Sequence, residues 1–442
     1  MIAALRNRSV NWRILTDSAF VAACLSAVKA AGAIKVVMMA RTFGTADELD
    51  AFLVAFLLPA FFAETIAGSL ATALIPALVD VREKSGRLVM FRLIRNCAAA
   101  AVGFLAIGAI LLVCVSPLLL TALGSGFAAG KQALTQSLFL PLVPMIPMAG
   151  LSIVWRAALN AEESYAVAAL APGCVPLTTI AAMLWATPAN TSVWVLVVAT
   201  LTGIVLEVGC LGIAMWRSGM PLMPRWSGFD PATRRVGQQH LPLIAVSAIA
   251  NGNILIDQSM AATLGSGSVS ALSYGTRLSS VLAGIAGGAL STAALPQFAR
   301  MIASGDWAAV RRTLATYTRL VALTAVPATL ALIVLTPVLV RLIFLRGAFT
   351  EEAAATVSLV QRFALLQLPV VLLSALLMRM VASMQANALL VRMAVVALVV
   401  NTVGDFVLIR WIGLTGIPAA SGLVQLLTLG YLVVIVWKRI RT

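Results

Sequence analysis

Gly68-Ser-Leu-Ala-Thr-Ala-Leu-Ile-Pro76 returns later in the chain as Gly288-Ala-Leu-Ser-Thr-Ala-Ala-Leu-Pro296. The offset carries position 68 onto 288, close to half of the 442 residues. The same offset carries Arg92 onto Arg312, and Ser116-Pro117 onto Thr336-Pro337. One short match could be chance in so biased a composition, but three in register over about 50 residues mark a duplicated scaffold. Both copies are apolar and carry proline, which suits kinked helices in a membrane rather than a water-facing domain.

Outward from the repeat, composition points the same way. Hydrophobic residues make up 61% of the chain and charged residues 11%, with a mean hydropathy of +1.01. Ordinary globular domains are roughly half apolar and about a quarter charged, so the surplus must face lipid. Apolar runs long enough to cross a bilayer fall near 17–40, 51–79, 94–120, 133–157, 164–187 and 193–216. A second set falls near 241–264, 270–297, 317–343, 353–380, 387–410 and 414–437. The expectation is an N-terminal lobe over 1–216, a linker over 217–240 and a C-terminal lobe over 241–442.

The net charge of +15 does not point to nucleic acid, because the basic residues sit in short gaps between apolar runs. They concentrate in alternate loops, as in Arg82, Lys84, Arg87, Arg92 and Arg95, then Arg225, Arg234 and Arg235, then Arg311 and Arg312. The positive-inside rule then puts both termini and the 217–240 linker in the cytoplasm. Arg6, Arg8 and Arg13 before an apolar stretch imitate a signal peptide, but the run exceeds h-region length and reads as a retained first helix. The five cysteines lie in apolar runs without CxxC spacing and read as small core hydrophobes. The single histidine, His240, reads as an interfacial residue. With one histidine, no acidic metal cluster and no long outer loop, an enzyme is not expected.

Ionisable residues inside the spans cost roughly 2.5–3.5 kcal/mol each at a helix centre and therefore want a partner, a wet cavity or a function. They are Lys29 and Lys35 on span 1, Glu64 on span 2, Glu207 on span 6, Asp257 on span 7, Arg277 on span 8, Arg362 on span 10 and Asp405 on span 11. None is matched by the repeat offset, so function is laid over a symmetric scaffold. Lys29, Lys35 and Arg277 would suit an anionic substrate such as a pyrophosphate; snorkelling, or pairing with Glu64 or Glu207, is the alternative. Asn401 and Asp405 lie four apart on one helix face, with Asp257 the nearest plausible partner. These oxygens would suit Na⁺ or a carried proton, and a polar helix contact is the alternative. Asp47, Glu48 and Asp50 read as acids favouring the start of span 2.

Several stretches resemble one family, the MviN/MurJ-type lipid II flippases of the multidrug/oligosaccharidyl-lipid/polysaccharide exporter superfamily. They are Arg41-Thr-Phe-Gly44, Asp50-Ala-Phe-Leu-Val-Ala-Phe-Leu-Leu-Pro59, Ala158-Leu-Asn-Ala161, Tyr274-Gly-Thr-Arg277-Leu278 and Leu345-Arg-Gly-Ala-Phe-Thr350. The resemblance runs over essentially the whole chain. Taken with the twelve apolar runs and the repeat, it implies an all-α integral membrane fold of about twelve transmembrane helices, in two six-helix lobes related by pseudo-two-fold symmetry, forming a V-shaped alternating-access transporter. It implies a monomer in the bacterial inner membrane that flips an undecaprenyl-pyrophosphate-linked saccharide, either lipid II or an exopolysaccharide repeat unit. A cation-coupled drug or metabolite antiporter on the same fold is the alternative.

By the same resemblance, Lys29, Lys35 and Arg277 fall where the family engages the pyrophosphate. Asp257, Asn401 and Asp405, with Ser421, fall where some members bind Na⁺ as a coupling ion. Glu64, Glu207 and Arg362 remain secondary charges. The sequence departs from the family in having lysine for arginine on span 1. It also has Pro59-Ala-Phe-Phe-Ala-Glu64 where span 2 usually brings an arginine, and twelve spans where typical members have fourteen.

Overall fold

The computed structural model of the chain describes residues 2–185, 192–383 and 387–441, and among them every regular element is helical. Lipid dictates this. A peptide group in hydrocarbon has no water to bond, so a spanning segment must satisfy its own backbone, and a helix does so locally. In chain order the helices are α1 (Ile2–Phe43), α2 (Asp47–Ser85), α3 (Arg87–Leu123), α4 (Ala129–Leu142 bent into Met145–Ala161), α5 (Tyr165–Trp185) and α6 (Trp194–Arg217). Then follow α7 (Pro231–Ala262), α8 (Ser268–Ala303), α9 (Trp307–Phe344), α10 (Glu351–Leu366 continued by Leu368–Ser383), α11 (Asn387–Ile412) and α12 (Gly416–Arg441).

Nine helical stretches among the described residues are long and apolar enough to cross a membrane, or ten when the bent α4 pair counts as one span. One of the nine, Val391–Lys438, is 48 residues long and holds both α11 and α12. These two pack on each other, so the run reverses at Gly413, whose φ of +60° is open to glycine at little cost. α8, a 36-residue helix, is not among these stretches; with it, the helices α1–α12 match the twelve expected spans in number and order. Large apolar side chains such as Trp185, Leu323, Val334 and Trp411 point outward, as lipid-facing surfaces require. The side chains of Arg6, Arg8, Arg13 and the second repeat copy at 288–296 lie outside the described residues.

The chain divides into two compact units. Unit 1 takes 1–39, 55–120 and 133–248; unit 2 takes 40–54, 121–132 and 249–442. Unit 1 has a core of Leu74, Leu78, Leu93 and Ile94 with Ala158, Leu211 and Met215. Its helices approach closely at small residues: a Cβ on Gly203 of α6 would meet Val175 Cα of α5 at 2.5 Å. Thr178 Oγ1 also donates to Ala199 O across that contact at 2.8 Å. Since lipid is as apolar as leucine, such packing and interhelical bonds hold membrane helices together. Unit 2 has a core of Phe298, Val310, Leu376, Met380 and Leu432.

Proline leaves one carbonyl per kink without its helical donor, and the chain repairs two of these with side chains. Pro117 frees Val113 O, which accepts from Ser116 Oγ at 2.8 Å. Pro337 frees Ile333 O, which accepts from Arg362 Nε at 3.3 Å. In α2 the turn Ala63–Gly68 is a π-helix, placed after Pro59 and ending on the first residue of the first repeat copy. His240 Nε2 lies 2.9 Å from Ser69 Oγ and 3.0 Å from Ile66 O at this turn. The lone histidine thus braces an irregular backbone, a role its sequence context does not show.

Candidate functional site

In unit 2, α7, α11 and α12 bring four polar side chains together. Asn401 Nδ2 donates to Asp257 Oδ1 at 2.8 Å and to Asp405 Oδ2 at 3.1 Å. Ser421 Oγ stands 3.4 Å from Asn401 Oδ1. Asn401 and Asp405 are buried, and Asp405 Oδ1 has no hydrogen-bond partner. Four-residue spacing on α11 puts Asn401 and Asp405 on one face, while Asp257 arrives from α7. Two carboxylates sharing one amide donor repel each other unless a proton or a cation joins them. The donor set is all oxygen once the Asn401 amide turns over, and this suits a hard cation. Among the described residues no group of three or more His, Cys, Asp or Glu could hold a metal ion.

The intramembrane cations are placed as follows. Lys29 in unit 1 is exposed and has no ion pair among the described residues. Lys35, half-buried in the same unit, lies 5.9 Å from the centre of the Phe56 ring. Arg277 on α8 of unit 2 is exposed and likewise enters no ion pair among the described residues. Of the secondary charges, Glu207 accepts from Ser152 Oγ at 2.5 Å, and Arg362 is engaged with the carbonyl that Pro337 frees. Glu64 is exposed on the π turn.

Three of the stretches that carried the family resemblance meet one another in unit 2: 41–44, 274–278 and 345–350. Ala348 N donates to Arg41 O at 2.9 Å, and Tyr274 Oη donates to Gly44 O at 3.0 Å. Gly44 and Gly347 both have positive φ; a Cβ on either would collide with the other's turn, at Ala348 O and Arg41 O respectively. Tyr274, Phe344 and Phe349 pack their rings within 6.0 Å of one another alongside.

Asp50 belongs to the same assembly and does more than start its own helix. Its side chain is fully buried. Its Oδ2 accepts from Gly267 N at 2.8 Å and Lys131 Nζ at 2.9 Å, and its Oδ1 from Ser270 N at 2.8 Å. It therefore closes the N-terminus of α8, where free N–H groups and the helix dipole favour an anion. Asp50 and Ser270 stand 220 positions apart, the repeat offset, so the bond joins equivalent positions of the two copies.

The family described as "Lipid II flippase MurJ" matches residues 39–442. The "Lipid II flippase MurJ" of Burkholderia cenocepacia is 26% identical over 397 residues, covering 87% of this chain and 76% of that protein. The fold is similar to a solved structure titled "Lipid II flippase MurJ, inward closed conformation", with a TM-score of 0.80 at 18% identity, covering 94% of this chain and 87% of that one. It is also similar to an inward-facing multidrug resistance MATE family transporter of the MOP superfamily. There the TM-score is 0.77 at 12% identity, over 92% and 93% of the two chains.

Proposed function

As the chain belongs to the MurJ lipid II flippase family, we propose that it carries lipid II from the inner to the outer leaflet of the bacterial cytoplasmic membrane by alternating access. The observation that carries this reading is the family match over 39–442, supported by the all-helical, multi-span fold. The protein works as a carrier and makes or breaks no covalent bond of its cargo. The likeness to the MATE transporter supports the shared fold alone and gives no separate weight to an antiporter.

In this reading Lys29, Lys35 and Arg277 engage the pyrophosphate. Each contact is a charge-assisted hydrogen bond worth roughly 1.5–3 kcal/mol in a partly dry site. The support is their intramembrane position, the exposure of Lys29 and Arg277, and their match to the family's headgroup positions. Lysine in place of arginine on α1 keeps the charge and gives up the planar fork. Na⁺ held by Asp257, Asn401, Asp405 and Ser421 couples the cycle; the buried, unpartnered Asp405 Oδ1 supports a cation there. Both termini and the 217–240 linker are cytoplasmic in this scheme, by the basic loops, and the carrier acts as a monomer.

The test is replacement. A bacterium depleted of its own lipid II flippase should regain growth and cell-wall synthesis when this chain is expressed in its membrane. Good expression without rescue, together with restored export in a strain lacking an exopolysaccharide flippase, would move the substrate to the repeat unit.

A further inference from the structure

Two cavities of unit 1 adjoin at one side chain, Trp226. The first, about 680 Å³, is lined by Arg92, Arg95, Arg225, Trp226 and Ser227 among others, and no Asp or Glu lines it. The second, about 260 Å³, is lined mainly by apolar groups, including Ala101, Phe104 and Leu105 of α3 with Phe229, Val236 and Leu241 of the linker and α7. Trp226 lines both.

The arrangement is built rather than incidental. Asn96, fully buried on α3, clamps the linker with its whole amide. Its Oδ1 accepts from Ser227 N at 2.8 Å and Ser227 Oγ at 2.7 Å, and its Nδ2 donates to Gly228 O at 3.1 Å and Thr233 Oγ1 at 3.3 Å. Arg225 N also donates to Arg95 O at 3.4 Å. These bonds hold Arg225 and Trp226 against the turn of α3 that carries Arg92 and Arg95. Beside them Trp226 and Phe229 pack edge to face at 4.8 Å, and both remain exposed, at 44% and 80%.

Charge separates these three arginines from their neighbours. Arg82 and Arg87 pair with Glu162, and Arg235 pairs with Asp80. Arg92, Arg95 and Arg225 have no side-chain ion pair or hydrogen bond among the described residues. Three uncompensated guanidinium groups ask for an anion, and phosphate matches their fork geometry. The adjoining apolar cavity asks for a hydrocarbon chain. Indole rings favour the level between headgroup and acyl chain, which suits a tryptophan lining both cavities.

We propose that this pair of cavities binds a glycerophospholipid with a net negative headgroup, its phosphate on Arg92, Arg95 and Arg225 and one acyl chain in the apolar cavity. Basic pockets between membrane helices recognise anionic lipids in this way. The lipid is a resident of the bilayer and not the cargo, so the site stands whether or not the chain flips lipid II. It would fasten the linker to the membrane plane at the start of α7.

The test uses the full-length protein released from nanodiscs and weighed intact by mass spectrometry. The nanodiscs contain phosphatidylglycerol, phosphatidylcholine or an equal mixture of the two. Wild type should retain phosphatidylglycerol over phosphatidylcholine by at least about tenfold. The Arg92→Gln/Arg95→Gln/Arg225→Gln protein should lose that preference, since each basic contact is worth roughly fivefold near a bilayer surface. Equal retention of the two lipids by wild type overturns the proposal, as does undiminished phosphatidylglycerol on a folded triple variant. Millimolar inorganic phosphate that strips the lipid would reassign the cavity to a free anion and also overturn it. If the triple variant does not fold, bromine-labelled phosphatidylglycerol should quench tryptophan fluorescence beyond bromine-labelled phosphatidylcholine. That excess should vanish in Trp226→Phe, and an unchanged excess counts against the site.

Discussion

At Pro337 the backbone loses a donor, and Arg362 supplies one to Ile333 O from the next helix. Arg362→Met should therefore orphan a carbonyl and lower stability by about 1–3 kcal/mol. Pro337→Ala returns the N–H, so Arg362→Met in that background should cost less than half as much; equal costs in a thermal-melt double-mutant cycle would refute the repair. Asp50→Ala should cost about 3–5 kcal/mol, since it orphans two N–H groups and removes the buried end of the Lys131 ion pairing, leaving only the exposed Asp47. Asp47→Ala, at the exposed end of the same ion pair, should cost under about 1 kcal/mol; similar losses at both positions would contradict the assignment. The sequence marks Asp50 only as an acid in a first helical turn, because its partners Gly267 and Ser270 lie over 200 positions away. Asp257 and Asn401 pose the same difficulty: the i, i+4 relation of Asn401 to Asp405 is visible in one dimension, whereas their meeting with α7 is a product of packing.

Helices are where the sequence is most legible, since a span needs about 20 apolar residues and the run length records it directly. Among the described residues each of the twelve expected runs overlaps a helix or a bent helix pair, with its ends within a few residues, including α11 and α12, which have no long polar break between them. The π turn in α2 is not legible, because Glu64 and Gly68 in an apolar run are compatible with an ordinary helix. The basic loops remain the readable sign of orientation. With the five free cysteines replaced, a cysteine at Met223, an exposed linker position, should resist impermeant maleimide in intact cells. One at Ser125, between α3 and α4, should react. The reverse pattern would invert the orientation of every helix.

For the whole molecule, the duplicated scaffold and the unduplicated charges divide the labour. Repeat-related positions such as Asp50 and Ser270 hold structure, while Lys29, Lys35, Arg277 and the Asp257–Asn401–Asp405 cluster have no counterpart at the repeat offset. If the cluster takes Na⁺, NaCl should raise the melting temperature relative to KCl, reflecting about 2.7 kcal/mol of added stability at a hundred times the dissociation constant. Asp405→Asn should abolish the difference, and indifference of the wild type to Na⁺ would remove the coupling ion. The cargo is tested most directly in cells depleted of their own lipid II flippase, by the fraction of lipid II open to an enzyme acting only at the outer leaflet. Wild type should restore that fraction. A Lys29→Ala/Arg277→Ala protein present at equal abundance should leave it at least about tenfold lower, since each lost contact weakens headgroup binding by about ten- to a hundredfold. No restoration by wild type, or full restoration by the double variant, would contradict transport of a pyrophosphate-linked lipid through these cations.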